Sequence, residues 1–208
     1  MGLRLQDNDS GWTHWLGRTH WSAPCADGQS LCRLVDLRGR DDPGPSHGTT
    51  AAATAFDSIA YAFTQISGDP TVTTLDEDYA CLVLDQRLGD AFGWLGTKTY
   101  DSAWDGDNVW SSIGYPGDIA GGLQPTFILN KSMDEDEWDY GSGRAMTTAA
   151  DMAKGQSGSP MFAWWDGNPY AVAVMSAYGN VWVSGNENWC SGGSDLGRIV
   201  KQARDENP

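Results

Sequence analysis

The sequence has few basic residues and no long apolar run. Its 208 residues include 13 Lys and Arg against 28 Asp and Glu, which gives a formal net charge of −15. Binding to phosphate groups needs a basic surface, so this charge argues against nucleic acid as the main partner. No stretch approaches the roughly 18 apolar residues that a membrane-spanning helix needs, so no membrane partner is expected.

Cysteine is also scarce, with only Cys25, Cys32, Cys81 and Cys190 in the chain. None of them forms a Cys-x-x-Cys pair of the metal-binding type, so no metal site is expected. Four cysteines allow three disulfide pairings, and the sequence does not choose among them. A small staple between Cys25 and Cys32 and a set of free thiols both remain open.

The abundant residues are those of a strand-rich protein. There are 26 glycines and 11 tryptophans, and Gly, Asp and Asn clusters separate short apolar segments. This pattern predicts an antiparallel barrel or sandwich. The predicted strands are 59–64, 79–84, 109–115, 126–130, 160–165, 171–176 and 180–184. One helix is expected over 195–204 with Ser194 as its N-cap, whereas the chain before His47 reads as irregular.

One segment stands out as a candidate for chemistry: Gly155-Gln156-Ser157-Gly158-Ser159-Pro160. Flanking glycines can hold Ser157 on a tight, exposed turn because glycine adopts backbone angles that other residues resist. The N–H groups of Gly155 and Ser157 can then point at one spot and bind a developing oxyanion. The alternative is an ordinary Gly/Ser loop between strands.

A serine nucleophile needs a base, and that base needs an orienting acid. Asp78 is the best candidate for the acid because it immediately precedes the apolar run 81–84. At the mouth of a buried strand, its carboxylate would be desolvated and would still accept a hydrogen bond. Taken alone, the segment Asp76-Glu77-Asp78 reads more simply as a solvated acidic turn.

Four segments, taken in order, resemble landmarks of the chymotrypsin-fold serine proteases, and within them the glutamyl endopeptidase-like branch. They are Asp78-Tyr79-Ala80, Gly93-Trp94-Leu95-Gly96, Gly114-Tyr115-Pro116-Gly117-Asp118 and Gly155 to Pro160. The segment from Gly192 to Ile199, followed by a short helix, is similar to the end of that fold. The resemblance covers roughly Gly39 to the C-terminus.

The resemblance implies an all-β fold of two six-stranded antiparallel Greek-key barrels, the first incomplete, with a short C-terminal helix. Residues 1–98 would form the amino-terminal barrel, irregular over 1–38, and residues 99–208 the carboxy-terminal barrel. Ser157 would be the nucleophile, Asp78 the acid, and Gly155 and Ser157 the oxyanion hole. The implied protein is a secreted, monomeric serine endopeptidase that acts on peptides or proteins without a cofactor, although Met1 to Trp21 shows no secretory signal.

The catalytic histidine is harder to assign among His14, His20 and His47. The family's Thr-Ala-Ala-His-Cys or Thr-Ala-Gly-His-Cys segment is absent. The segment from Arg38 to Gly48 resembles the turn that follows the histidine strand, which implies that His47 is a loop residue. Counting back from this turn, His20 falls nearest the expected position, with only 19 residues before it. A divergent or truncated amino terminus would explain so short a lead.

The substrate pocket departs from the glutamyl-specific relatives, which use a histidine on the strand after the nucleophile. Met175 stands at that position, next to Ser176, and Met152 precedes the nucleophile where a hydroxyl would be expected. Lys154 could attract an acidic side chain instead. The three residues Met152, Met175 and Ser176 therefore predict an apolar or uncharged pocket rather than one for glutamate.

Two other functions remain open at this point. The first is a catalytically impaired protease-like protein, because no standard histidine segment is present. The second is a carbohydrate-binding β-module in which tryptophans such as Trp164, Trp165, Trp182 and Trp189 form a sugar-stacking platform. The acidic run 134–139 fits a solvated surface loop better than a calcium site, because it lacks the glycine of an EF-hand loop.

Overall fold

The computed structural model describes residues 3–6, 13–17, 57–63, 70–71, 73–84, 94–122, 124–135, 141–178 and 188–207. Within the strands at 3–6, 13–17, 57–60 and at residue 84, only the backbone is described. Over these ranges the chain is mostly antiparallel β-structure with one α-helix close to its C-terminus. The mostly-β prediction is thereby confirmed.

A four-stranded antiparallel sheet is formed by the amino-terminal part of the described chain. Its strands lie in the order β1-β2-β4-β3. They are β1 (Leu3–Gln6), β2 (Thr13–Gly17), β3 (Asp57–Tyr61) and β4 (Ala80–Leu84). Strands β1 and β2 lie in the part of the chain before His47 that was expected to be irregular, and they are too short to show a clear alternation of apolar and polar residues. The rest of that part lies outside the described residues.

The remaining strands form an eight-stranded sheet in the order β7-β6-β10-β11-β12-β9-β8, with β5 added in parallel to β11. Its strands are β5 (Gly96–Thr97), β6 (Trp110–Gly114), β7 (Thr126–Lys131), β8 (Met133–Glu135), β9 (Gly143–Thr148), β10 (Pro160–Trp165), β11 (Asn168–Tyr178) and β12 (Asn188–Gly193). The predicted strands match β6, β7 and β10 to within a residue, and β11 is longer than expected. The predicted strand 180–184 lies outside the described residues.

The C-terminal helix α1 (Ser194–Glu206) begins with a glycine rather than with the predicted serine cap. Gly193 is the N-cap residue, and the prediction for Ser194 was wrong by one position. Gly193 has a φ of 92°, and an added Cβ would lie 2.6 Å from the carbonyl oxygen of Ser142. Only glycine fits this close approach without strain. Ser194 instead donates a hydrogen bond from its hydroxyl to the same Ser142 oxygen at 3.3 Å.

One apolar cluster joins the helix to both sheets. Leu196, Ile199 and Ala203 of α1 pack with residues of β4, β10 and β11. A second cluster lies within the eight-stranded sheet and contains four buried methionines, which are Met133, Met146, Met161 and Met175. The first cluster therefore fixes β4 against the larger sheet. This packing positions Asp78, which precedes β4.

The helix is also tied to β3 by polar contacts. The hydroxyl of Tyr61 donates to Glu206 Oε2 at 2.8 Å, and the side-chain amide of Asn207 donates to the Tyr61 hydroxyl at 2.9 Å. Among the described residues no helix is long and apolar enough to cross a membrane.

The two cysteines within the described ranges are free thiols. Cys81 lies on β4 and Cys190 on β12, and both are fully buried. Burial raises the pKa of each thiol above its ordinary value of 9.0 because the thiolate would lose its hydration. The candidate staple between Cys25 and Cys32 lies outside the described residues.

Candidate active site

Ser157 lies on a tight turn between two glycines of left-handed conformation. Gly155 has a φ of 103° and Gly158 a φ of 79°. An added Cβ on Gly155 would lie 2.6 Å from the carbonyl oxygen of Tyr115. The turn therefore needs glycine at position 155 both for its backbone angles and for its close contact with a neighbouring turn. The side chain of Ser157 is half-buried.

That neighbouring turn follows β6 and contains the Gly-Tyr-Pro-Gly landmark. The backbone N–H of Gly117 donates to the carbonyl oxygen of Lys154 at 2.7 Å. An added Cβ on Gly114 would overlap the hydroxyl of Ser159. The two sequence landmarks thus form one packed structure, and the glycines of the first make room for the loop of the second.

Gln156 stabilises the loop before Ser157 from its buried side. Its side chain is buried, and its Oε1 accepts a hydrogen bond from the backbone N–H of Ala153 at 2.6 Å. Its own backbone N–H donates to the carbonyl oxygen of Ala153 at 3.1 Å. The loop before Ser157 is therefore closed by a side-chain bond and a backbone bond between the same two residues.

Strand β11 holds the loop on the other side of the serine. The N–H of Gly158 donates to the carbonyl oxygen of Met175, and the N–H of Met175 donates to the carbonyl oxygen of Ser159, each at 2.8 Å. These reciprocal bonds fix the position of the turn relative to the sheet.

Asp78 is fully buried at the start of β4. The hydroxyl of Ser176 donates to its Oδ2 at 2.5 Å. The solvated acidic turn that the sequence suggested is wrong for this segment, because Asp76 is also buried. The cause lies in the flanking apolar side chains: Leu75 and Tyr79 are 2% and 0% exposed, and they draw the short 3₁₀ turn between them into the interior.

Consecutive residues of β11 contact both parts of the candidate site. Met175 bonds the backbone of the two residues that follow Ser157, and the hydroxyl of Ser176 bonds Asp78. Nothing in the sequence pointed to this second contact, because Asp78 and Ser176 lie 98 residues apart. The Ser176 hydroxyl, expected in the substrate pocket, is directed to the carboxylate instead.

Tyr79 shares the buried environment of Asp78. Burial raises the pKa of Tyr79 far above its ordinary value of 10.0, and the nearby carboxylates of Asp195, Glu77 and Asp76 raise it further. Its hydroxyl therefore stays protonated wherever the protein is folded at ordinary pH. It meets no hydrogen-bond acceptor among the described residues.

The two methionines of the predicted pocket lie in the same apolar cluster. Met175 is fully buried, with its Sδ 3.9 Å from the hydroxyl of Ser112, and Met152 packs against that cluster from a half-buried position. Lys154, the nearest cation in the sequence, has an exposed side chain.

The histidines are only partly covered by the structure. His14 lies within β2, where it pairs with Val83, and β2 ends at Gly17 opposite Ala80. His20 and His47 lie outside the described residues. Over the described ranges no group of three or more His, Cys, Asp or Glu side chains is arranged to hold a metal ion.

The fold of the chain is that of the chymotrypsin-like serine proteases, as comparison with solved structures shows. The thermostable serine protease AL20 from an extremophilic microorganism matches with a TM-score of 0.66 at 13% identity, over 99% of this chain and 90% of that one. Protease Anisep from Arthrobacter nicotinovorans matches with a TM-score of 0.62 at 15% identity, over 98% and 88%. A Glu endopeptidase in complex with MPD gives a TM-score of 0.62 at 15% identity, over 98% and 90%.

At these identities the likeness establishes the fold. No protein-family model matches the sequence, and no curated protein sequence does.

Proposed function

We propose that the chain is a serine-type endopeptidase that hydrolyses peptide bonds through an acyl-enzyme on Ser157. The observation that carries the proposal is the convergence on β11: Met175 holds the serine turn and the adjacent Ser176 holds the buried Asp78. A Ser-His-Asp triad needs a nucleophile and an orienting acid in fixed positions, and these contacts hold both candidates against one strand.

In the proposed mechanism the base removes the proton of Ser157, whose oxygen attacks the scissile carbonyl carbon. The N–H groups of Gly155 and Ser157 bind the oxyanion of the tetrahedral intermediate. The base then protonates the leaving amine, and water hydrolyses the acyl-enzyme. The positive φ of Gly155 supports this role, since it gives the turn before Ser157 a conformation that residues other than glycine rarely adopt.

His20 is the proposed base. Strand β2 ends at Gly17 opposite Ala80, and Asp78 lies two residues before Ala80 on the antiparallel partner. The chain therefore leaves β2 at the end of the strand pair where Asp78 lies. Only two residues separate Gly17 from His20, a path of at most roughly 10 Å. His14 is less suitable because it pairs with Val83, farther along β4 and away from Asp78.

The proposed substrate is a peptide or protein cleaved after an apolar or uncharged residue. Met152 and Met175 support this preference, because thioether side chains offer no charge or strong hydrogen bond to a substrate carboxylate. By analogy with proteases of this fold, we propose that the protein is secreted and acts as a monomer. A panel of peptides that differ only at the residue before the cleaved bond tests the preference; strong selection for glutamate would contradict it.

A catalytically impaired protease-like protein is the alternative, and it is favoured by the absence of the usual histidine segment. The two functions differ in whether the Ser157 hydroxyl is activated.

The decisive experiment is labelling with a fluorophosphonate probe, combined with peptide hydrolysis. We expect stoichiometric labelling of the native chain and loss of labelling in Ser157→Ala and His20→Ala. The matched controls are Ser159→Ala, which removes a hydroxyl two residues away, and His14→Ala; both should keep labelling. Loss of the base or nucleophile should reduce kcat by about 10⁴- to 10⁶-fold.

If a folded native chain is not labelled, the impaired alternative is correct. If labelling survives His20→Ala but not Ser157→Ala, the base lies elsewhere and the assignment of His20 is wrong.

A further inference from the structure

A second concave site lies at the end of β6 opposite the serine turn. It is a groove of about 460 Å³, a volume typical of small-ligand sites. Trp110 at the start of β6 lines it, whereas Gly114 at the other end of the strand contacts the loop of Ser157. The two ends lie four residue steps apart along the strand, a distance of about 13 Å. The groove is therefore separate from the candidate active site.

Rigid aromatic rings form much of its wall. Trp104 and Trp165 line the groove with ring centroids 5.2 Å apart, and Trp104 also packs edge-on against Tyr100. Trp164 lines it with a side chain that is 51% exposed, and its ring rests on buried Phe162 at 5.1 Å. The buried neighbours fix the orientation of these rings, which present apolar surface to the solvent.

The polar groups of the groove are mostly uncharged hydrogen-bonding side chains. Asn108 and Asn130 are exposed beside the tryptophans, and Asp107 is the single charged residue among the described residues of the lining. Trp110 adds a buried indole N–H that meets no acceptor among the described residues.

The charge of the lining limits the ligand. None of the described lining residues is Lys or Arg, and the chain carries a net charge of −15. Lys98 lies next to the lining, with its Nζ 5.3 Å from the centre of the Trp165 ring. Phosphate, sulfate and carboxylate ligands would therefore meet the negative charge of the protein with little compensation from the lining itself. A ligand that suits this groove is neutral, rich in hydroxyl groups and flat enough on one face to stack on tryptophan.

We propose that this groove binds a neutral oligosaccharide, with Trp164 as the main stacking surface and Asn108 and Asn130 as hydrogen-bonding partners. A sugar ring with equatorial hydroxyl groups has an apolar C–H face for the indole and a polar edge for the amides. This site would act independently of catalysis at Ser157, and would attach the protein to a glycan while the other end of β6 faces a substrate.

The test is to titrate the native chain with cellohexaose, chitohexaose and xylohexaose in separate experiments. Binding is measured by tryptophan fluorescence and by calorimetry. We expect at least one to bind, and Trp164→Ala to weaken that binding by about tenfold or more, as for a central aromatic anchor. Phe127→Ala is the matched control, because Phe127 is also 51% exposed on this sheet but does not line the groove. It should change the affinity less than twofold.

A second variant tests the neutral character of the ligand. Asp107→Asn should leave oligosaccharide affinity within about threefold, and binding should be insensitive to salt. The proposal is overturned if none of the three sugars binds at millimolar concentration, or if Phe127→Ala and Trp164→Ala weaken binding equally. It is also overturned if the groove binds only a Lys-rich peptide, with an affinity that falls in Asp107→Asn and at high salt.

Discussion

The two sheets hold their parts of the candidate site by different means. The eight-stranded sheet holds Ser157 through backbone hydrogen bonds and glycines in close contact, all within two loops and β11. The four-stranded sheet holds Asp78 through burial and one described side-chain bond that reaches across from Ser176. Backbone-determined geometry leaves a visible motif in the sequence, whereas a long-range side-chain contact does not.

Among the variants that test this difference between the two sheets, Asp78→Asn should have the largest effect on activity. The amide keeps the shape of the carboxylate but can no longer orient and stabilise a protonated histidine. On the proposed function we expect kcat/KM for peptide hydrolysis to fall by about 10⁴-fold, as when the acid of a known Ser-His-Asp triad is changed to its amide. Glu77→Gln changes a half-buried residue one position earlier and serves as the control. It should change kcat/KM less than about threefold. Equal activity of both variants would remove Asp78 from the mechanism.

Gly155→Ala tests the backbone-determined part of the site. The new methyl group would meet the Tyr115 carbonyl at a φ that L-residues rarely adopt, so we expect unfolding free energy to fall by about 3 kcal/mol. Gly141 also has a positive φ, 74°, but no atom of the described residues lies within 4 Å of an added Cβ, so Gly141→Ala should lower the unfolding free energy by about 1 kcal/mol. Urea unfolding of both variants measures the difference; equal losses would show that the contact with Tyr115 is unimportant.

Ser176→Ala tests the contact between the sheets. Removal of the Ser176 hydroxyl takes one hydrogen bond from the buried Asp78 carboxylate. Such a loss typically lowers the unfolding free energy by about 1 to 3 kcal/mol. Ser159→Ala removes a buried hydroxyl that has no partner among the described residues, and should cost less than about 1 kcal/mol. Urea unfolding measures both free energies. If Ser176→Ala proves no more costly than Ser159→Ala, Asp78 is held by other contacts.

The smallest effect concerns the buried thiols, one in each sheet. Below pH 9.0 both the folded and unfolded chains keep the protons of Cys81 and Cys190. Above it the unfolded chain loses them while the folded chain does not, so unfolding free energy should decrease as pH rises. Urea titrations between pH 8 and pH 10 measure the slope, which Cys81→Ala and Cys190→Ala should each reduce.

Alkylation read by peptide mass spectrometry sharpens the same comparison. At pH 8 neither thiol should react in the native protein. In mild urea Cys81 should react first, because the four-stranded sheet is the smaller unit and opens at lower free energy. Earlier reaction of Cys190 would reverse the order of stability that we expect for the two sheets.

The strands that the sequence revealed are those with a continuous apolar run between turn residues, such as β4 and β10. Strands β9 and β12 were missed: Gly143–Thr148 and Asn188–Gly193 consist mostly of small and polar residues, with one large apolar side chain each, Met146 and Trp189. They are stabilised by pairing with each other and with β11 rather than by their own composition. Likewise, the glycines around Ser157 predicted the turn on which it lies. The burial of Asp78 could not be predicted, because it depends on the packing of the flanking side chains of Leu75 and Tyr79.

The packing of α1 across both sheets sets an order of events during synthesis. Leu196 of the helix follows Cys81 of β4 by 115 residues, yet both belong to the cluster that supports the segment with Asp78. While the ribosome is still making the residues between β4 and α1, β4 has no helix to cover it. The segment with Asp78 can thus gain this support only after α1 has been made, which, on the proposed function, would keep a shorter nascent chain from acting as a peptidase.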